Sequence, residues 1–509
     1  MKTPLYDFVS GYIASGTVRM HMPGHKGKGR LGIEERDITE IAGADVLSEA
    51  EGIIGASERN ASKLFGTART VYSAEGSSLA IRAMLYLALQ RYRQRRGGSG
   101  KRPYILAARN VHKVFIYACA LLDLDVVWLP PDGSAEKGTL CSAHPTPESV
   151  RAAAKALRAA KAGSGAGEIP AAVYLTSPDY LGSVADIKGI RKAADEAFGP
   201  GEVPVLVDNA HGAYLHFLTP PLHPLDLGAY MSADSAHKTL PVLTGGAYLQ
   251  LSPEAEREAG EAAKEAMSLF ASTSPSYLIL QSLDLCNACL SGGYRDRLSG
   301  TVRLIDEAKR KLGHAGIRVL PSEPLKLVVD SFSVRQGFGG GMLGEELRAA
   351  GIEPEFTDLR HVVFMLTPEN TEEEIRFLVR VLKDIKRTAG AVADDRNGTK
   401  GRAGKADALI PAAEMRVEKA AAADEMLLMN TPERRMTIRE AVLSPQETVS
   451  VRESAGRVCA SASVTCPPAV PPVVSGEVIT EEHVRIMLAY GIERIRVVKE
   501  PLSGEAKPR

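Results

Sequence analysis

From about residue 61 to residue 250 the chain alternates between two patterns. Short apolar runs, PYILAA, DVVWLP, AAVYLT, VPVLVD and GAYLQL, read as buried strands. Between them lie amphipathic stretches such as SSLAIRAMLYLALQRYRQRR and PESVRAAAKALRAAKA, which read as helices. Short β-rich runs alternating with helices predict βαβ units and a mostly parallel sheet. Residues 1–60 read as irregular and then helical, and 253–312 as long helices. IRVL, LKLVVDSFSV, GEELRAAGIE, VVFMLTP and TEEEIRFLVRVLKDIKR, within 317–387, predict a smaller α+β unit. The pattern fades in TAGAVADDRNGTKGRAGKADALIPAA, which is rich in Gly, Ala and charge and reads as a linker. The expected organisation is an N-terminal arm with a large α/β domain over 1–300, a small α+β domain over 301–388, a linker over 389–412 and a C-terminal α+β segment over 413–509.

Composition narrows this only slightly. Lys+Arg and Asp+Glu both number 62, so no basic excess points to nucleic acid or an anionic membrane. The N-terminus MKTPLYDFVSGYIASG has no apolar signal core, and no run of about 20 apolar residues exists to span a bilayer. The expectation is a cytoplasmic protein. Six cysteines are too few for a disulfide framework. Cys286 and Cys289 form C-x-x-C, but no second ligand pair completes a zinc site, so they read as buried free thiols on a helix. GGGMLG at 339–344 fits a dinucleotide fingerprint literally. Four residues separate it from the preceding strand, so a glycine turn before a helix is the better reading.

Four local features carry chemistry. VPVLVDNAHG ends a strand on Asp208, where ligands of open α/β sheets bind; a turn or cap aspartate is the plain alternative. Lys238, in ADSAHKTLPVLTGG, follows thirty residues later; it is either a solvated lysine at a strand end or an amine that bonds a carbonyl. With pyridoxal phosphate (PLP) as that carbonyl, an acid is needed at the pyridine nitrogen, and Asp208 suits the task. AEGSSLAIRAML offers Gly76, Ser77 and Ser78 at a helix N-terminus, a phosphate site or an ordinary cap. His112, just after PYILAA, can stack on a flat ring or be a satisfied polar residue.

Together these residues resemble the Orn/Lys/Arg decarboxylase family, PLP enzymes of the aspartate-aminotransferase fold type (fold type I). The likeness runs through HMPGHKGKG, DITEIAGADVLSEAEGII, RNVHK, SPDYLG, VDNAHG, SAHKTLPVLTGGA, STSPSY and the divergent tail PPAVPPVVSGEVIT. It covers nearly the whole chain and resembles the shorter members, without an N-terminal wing domain.

The resemblance implies decarboxylation of arginine, lysine or ornithine to its amine. It implies that Lys238 bonds PLP, Asp208 pairs with the pyridine nitrogen and His112 stacks on the ring. Ser77, Ser78 and Ser235 match phosphate positions, with His237 beside them. Active sites of this fold form between subunits, so a homodimer or larger homo-oligomer is expected, with Thr273 and Ser274 reaching a second subunit's phosphate. His211, three residues after Asp208, is a candidate to orient substrate or supply a proton. Glu355 and Asp358 are candidates for the substrate's distal cation, or a solvated pair in a turn. No metal is expected. Two departures stand out: Asn209 where the family has an acid, and PPAVPP with SGE where it has P-P-G-I-P and P-G-E. The competing readings are an aminotransferase, for which Arg360 would have to clamp an α-carboxylate, and a non-catalytic protein that retains the fold.

Overall fold

The computed structural model describes residues 1–97, 102–130, 142–143, 145–160, 169–396, 432–462 and 470–500. Seven strands form the large sheet: β1 (Arg69–Ser73), β2 (Tyr104–Ala107), β3 (Asp125–Trp128), β4 (Ala172–Thr176), β5 (Val205–Asp208), β6 (Met231–Asp234) and β7 (Ala247–Leu251). Their spatial order is β1-β7-β6-β5-β4-β2-β3. β7 pairs antiparallel with both β1 and β6, and the remaining pairs are parallel. The expected α/β, mostly parallel architecture of a fold type I large domain is therefore present.

The central strands are buried on both faces because their side chains alternate between two cores, whereas the edge strand β3 is mostly half-buried. Ile105, Tyr174, Leu206 and Met231 meet Leu79, Met84 and Phe115 from helices Gly76–Arg96 and Lys113–Leu122. Their neighbours Leu106, Val173, Val205 and Val207 meet Val150, Ile187 and Ile190 from helices Pro147–Ala160 and Ile187–Phe198. Burying each such aliphatic side chain contributes about 2 kcal/mol, which fixes the register of the sheet and hence of its carboxyl edge.

The smaller sheet contains β8 (Val319–Leu320), β9 (Lys326–Asp330), β10 (Phe356–Thr357) and β11 (His361–Met365), antiparallel in the order β10-β11-β9-β8. Helices Tyr294–His314 and Glu372–Arg396 pack on it through Ile305, Leu312, Ile375 and Leu382, in a core continuous with that of the large domain. GGGMLG opens helix Gly340–Ala349, as the glycine-turn reading expects. A Cβ on Gly340 would lie 2.4 Å from the His361 carbonyl oxygen and 2.5 Å from that of Asp358, so the glycine seats this helix on the hairpin.

Two of the expected domain boundaries fall inside helices. Helix Tyr294–His314 crosses residue 300 unbroken, and helix Glu372–Arg396 runs past 388 into the expected linker. The alanines of TAGAVADDR sustain a helix that their lack of apolar periodicity hides. Residues 397–412 lie outside the described residues. The C-terminal segment pairs β12 (Gln446–Ser450) with β13 (Arg494–Val498) and adds helices Ile438–Leu443 and Glu481–Ala489. Cys286 is buried and Cys289 half-buried on helix Tyr277–Ser291, both as free thiols. Among the described residues, no helix is long and apolar enough to cross a membrane.

Candidate active site

Four segments named from sequence leave the large sheet at its carboxyl edge, where open α/β sheets bind ligands. β1 leads into the Gly76 helix, β2 into His112, β5 ends on Asp208, and β6 leads into the Lys238 turn. Asp208 stands beside Ala233 in the β5–β6 register.

Lys238 lies on the short helix Ala236–Thr239 and is half-buried. Its Nζ is 3.1 Å from His211 Nε2. His211 is 4% exposed. Burial pushes its pKa well below the ordinary range, and the positive charges of Lys326 and Lys238 add to that push. A neutral imidazole accepting at Nε2 carries its proton on Nδ1, and that buried nitrogen has no partner among the described residues. The edge of the Tyr180 ring closes one side of His211, with centroids 5.1 Å apart.

Asp208 is 2% exposed. It accepts hydrogen bonds from the Tyr174 hydroxyl at 3.4 Å and the Ala210 N–H at 3.2 Å. Burial raises its pKa to about 6, against the pull of Lys238 and those donors. His112 caps helix Lys113–Leu122, its Nδ1 accepting from the Val114 N–H at 3.3 Å. The residue as a whole is exposed. Desolvation, then Lys238 and Lys113, hold its pKa near 4, consistent with an unprotonated Nδ1.

The Thr-Gly-Gly after Lys238 ties the site together. Gly76, at φ 71°, donates its N–H to the Gly245 carbonyl at 2.6 Å. His237 uses both its N–H and its Nδ1 on the Gly246 carbonyl, at 3.1 and 3.0 Å. Ser235 Oγ donates to Ser77 Oγ at 2.7 Å, bridging the Lys238 turn to the first turn of helix Gly76–Arg96. Ser78 lies half-buried in that same turn. The resulting hydroxyl pair at a helix N-terminus is suited to an anion.

The other expected residues lie differently. Thr273 and Ser274 are exposed, but their loop touches the same helix start, because the Ser272 N–H donates to Glu75 Oε1 at 2.6 Å. Glu355 is exposed, next to Phe356, whose ring is 4.7 Å from Tyr180. Asp358 is 6% exposed and engaged within the β10–β11 hairpin. It accepts from the backbone N–H groups of Arg360 and His361 at 2.7 and 2.5 Å and faces His361 Nδ1 at 3.2 Å. Burial pushes its pKa up, but these partners outweigh burial and hold it at about 2. The Arg360 guanidinium bonds Asp330 Oδ2 at 2.8 and 3.2 Å.

Sequence reasoning missed Tyr174, Tyr180 and Lys326. Lys326 is fully buried and donates to the Asp179 carbonyl at 2.7 Å. Its one signal was a lysine inside the apolar run LKLVVD. Asn209 was noticed only as a departure. Its amide donates at 2.9 Å to Asp234, which also accepts from Ser232 Oγ at 3.0 Å and meets His223 Nε2 at 2.8 Å.

Comparison with known proteins accords with this geometry. The family model for the Orn/Lys/Arg decarboxylase major domain matches residues 3–325, and that for the Orn/Lys/Arg decarboxylase C-terminal domain matches 417–495. Arginine decarboxylase of Bacillus subtilis (strain 168) is 28% identical over 95% of this chain and 92% of its own. Arginine decarboxylase of Halalkalibacterium halodurans is 28% identical over 96% and 92%. The crystal structure of the Francisella novicida lysine decarboxylase superposes with a TM-score of 0.76 at 16% identity, covering 98% of this chain and 81% of that one, a likeness of fold.

Proposed function

The chain belongs to the Orn/Lys/Arg decarboxylase family, PLP-dependent carboxy-lyases of basic amino acids, and from that premise we propose that arginine is its substrate and that Lys238 and Asp208 anchor the cofactor. The observation that carries the site is Lys238 Nζ at 3.1 Å from a neutral His211, with the buried Asp208 on the neighbouring strand end. The choice of arginine rests on the two relatives of that name.

The residues fit PLP. Asp208 is a buried acid with no ion-pair partner among the described residues, and a protonated ring nitrogen would supply the cation it lacks. Ser77, Ser78 and Ser235 at the Gly76 helix start suit a phosphate, and the exposed His112 offers its ring to the pyridine. When bound, PLP supplies an electron sink for the pair released as the Cα–carboxylate bond breaks. The protein's part is positioning. Lys238 Nζ donates to the neutral His211 Nε2, a contact that orients the amine toward the carboxyl edge of the sheet. Tyr180 and Tyr174 keep water from His211 and Asp208. Glu355 is the remaining acid for the guanidinium, because the Asp358 carboxylate is engaged in its own hairpin. Arg360, bound to Asp330, is engaged elsewhere than on an α-carboxylate, which supports decarboxylation over transamination. A cytoplasmic homodimer with shared sites completes the proposal, supported by the exposure of Thr273 and Ser274 beside the helix start.

The test is release of CO₂ and amine by the PLP-loaded protein from arginine, lysine and ornithine offered separately. Arginine is expected to be turned over fastest. E355Q is expected to raise KM for arginine about tenfold with kcat nearly unchanged, the signature of lost uniform binding. A keto acid product, or no CO₂ with PLP bound, would contradict the reading.

A further inference from the structure

The loop that carries His112 is held from the far end of the chain. Arg109, three residues before His112, forms a bidentate pair with Glu477, Nη1 to Oε1 at 2.9 Å and Nη2 to Oε2 at 2.7 Å. Its Nε donates to the Pro471 carbonyl and its Nη2 to that of Pro472, both at 3.1 Å. The guanidinium lies 5.2 Å from the centroid of the Trp128 ring. The two side chains are 8% and 3% exposed. Glu477 is fixed in turn by the Val474 N–H at 2.8 Å. Gly476 before it, at φ 91°, could carry no side chain, because a Cβ would lie 2.3 Å from the Met436 carbonyl oxygen.

The same segment grips the other end of helix Lys113–Leu122. Arg439 Nη1 donates to the carbonyls of Ala120 and Leu121 at 2.9 and 3.0 Å, where a helix has unpaired acceptors. Between the two ends, Ile438, Ala462 and Val474 join Val114, Phe115 and Ala118 in one core. Phe115 packs on Tyr174 with ring centroids 4.3 Å apart, and Tyr174 bonds Asp208. One helix thus carries His112 at its cap and, through Phe115, the support of Asp208. Within the loop, the buried Asn110 amide has no partner among the described residues, so Arg109 is the side chain that ties the loop to the C-terminal segment, beside the Ala108 N–H donated to the Tyr174 carbonyl at 3.3 Å.

A buried ion pair adds little net stability, since desolvation offsets attraction, but a two-pronged Arg–carboxylate contact fixes orientation. We propose that the C-terminal segment positions His112 through the Arg109–Glu477 pair, which makes both positioning residues for cofactor retention. This rests on the reading of His112 as the ring-stacking residue.

The experiment is a double-mutant cycle on full-length, PLP-loaded protein with E477Q, H112A and the double variant. The readouts are the PLP release rate and the visible circular dichroism of bound PLP. E477Q is expected to release PLP about tenfold faster, the equivalent of roughly 1.4 kcal/mol, and to weaken the visible signal while far-ultraviolet dichroism is unchanged. In the H112A background E477Q should add almost nothing. If E477Q does not yield folded protein, R109K, which keeps the charge but loses the fork, carries the same cycle. Additive effects, or an unchanged release rate in E477Q, overturn the proposal. Borohydride reduction of K238A separates the levels: loss of the fixed pyridoxyl label in that variant together with additivity in the cycle sinks only the clamp. A lysine label undiminished in K238A sinks the cofactor reading on which the clamp rests.

Discussion

A carboxyl group held at 2% exposure, with a hydroxyl and an N–H as its hydrogen-bond partners among the described residues, is an uncomfortable anion. Without a cofactor, Asp208 keeps its proton to about pH 6, against 3.8 for an ordinary aspartate. The folded apoprotein therefore binds this proton more tightly than the unfolded chain. The linked stability is fully present below the unfolded value and is lost as pH rises through about 6, roughly 3 kcal/mol in all. Thermal midpoints of the apoprotein should fall between about pH 4 and 6.5 relative to D208N, which lacks the titration. Loading with PLP should flatten that difference. Parallel profiles for the two proteins would refute the assignment. At the same scale, K238A should lower kcat roughly 10³-fold or more, as removal of a nucleophile that nothing replaces. A variant within tenfold of the parent would exclude Lys238 from the chemistry.

Helices and turns show which glycines matter. Gly76 and Gly340 both start helices, for different reasons. Gly76 sits at φ 71° with open space where a Cβ would project, so G76A should cost about 1–2 kcal/mol in backbone strain alone. Gly340 has no such conformation, but a Cβ there meets two backbone carbonyls, so G340A should cost about 3 kcal/mol through displacement of the β10–β11 hairpin. Equilibrium unfolding of the two variants checks both, and equal losses would contradict the distinction. At this scale the sequence was readable wherever burial wrote a period. The runs PYILAA, AAVYLT and VPVLVD became parallel strands, and helix Gly76–Arg96 followed its predicted span. The direction of β7 was not readable, because Ala247–Leu251 is as apolar as its parallel neighbours and nothing in the connection from β6, through the short helix Ala236–Thr239, announces the reversal. Helix Glu372–Arg396 outran its apolar stripe, since alanine supports a helix without marking a face.

Across the molecule, the site draws on residues far apart in the chain, and legibility falls with that distance. Asp208, Lys238, Ser77 and Ser235 could be named because each follows a strand at the same sheet edge. Tyr174 lies 34 residues before the carboxylate it supports, inside a strand where tyrosine reads as core. Glu477 is 368 residues from Arg109, and nothing local in SGEVIT reports that distance. Asp358 and Glu355 looked equivalent three residues apart. Only tertiary structure separates the one that knots a hairpin from the one left open. The fold also buries other lysines, Lys326 beneath the Asp179 loop and Lys264 against Glu58 at 2.6 Å, so burial alone does not identify the reactive amine. The most direct measurement is therefore borohydride reduction of the PLP-loaded protein, followed by proteolysis and mass mapping of the fixed pyridoxyl group. A single modified residue, Lys238, is expected. A label on Lys326 or Lys264, or no stoichiometric label on any lysine, would contradict it.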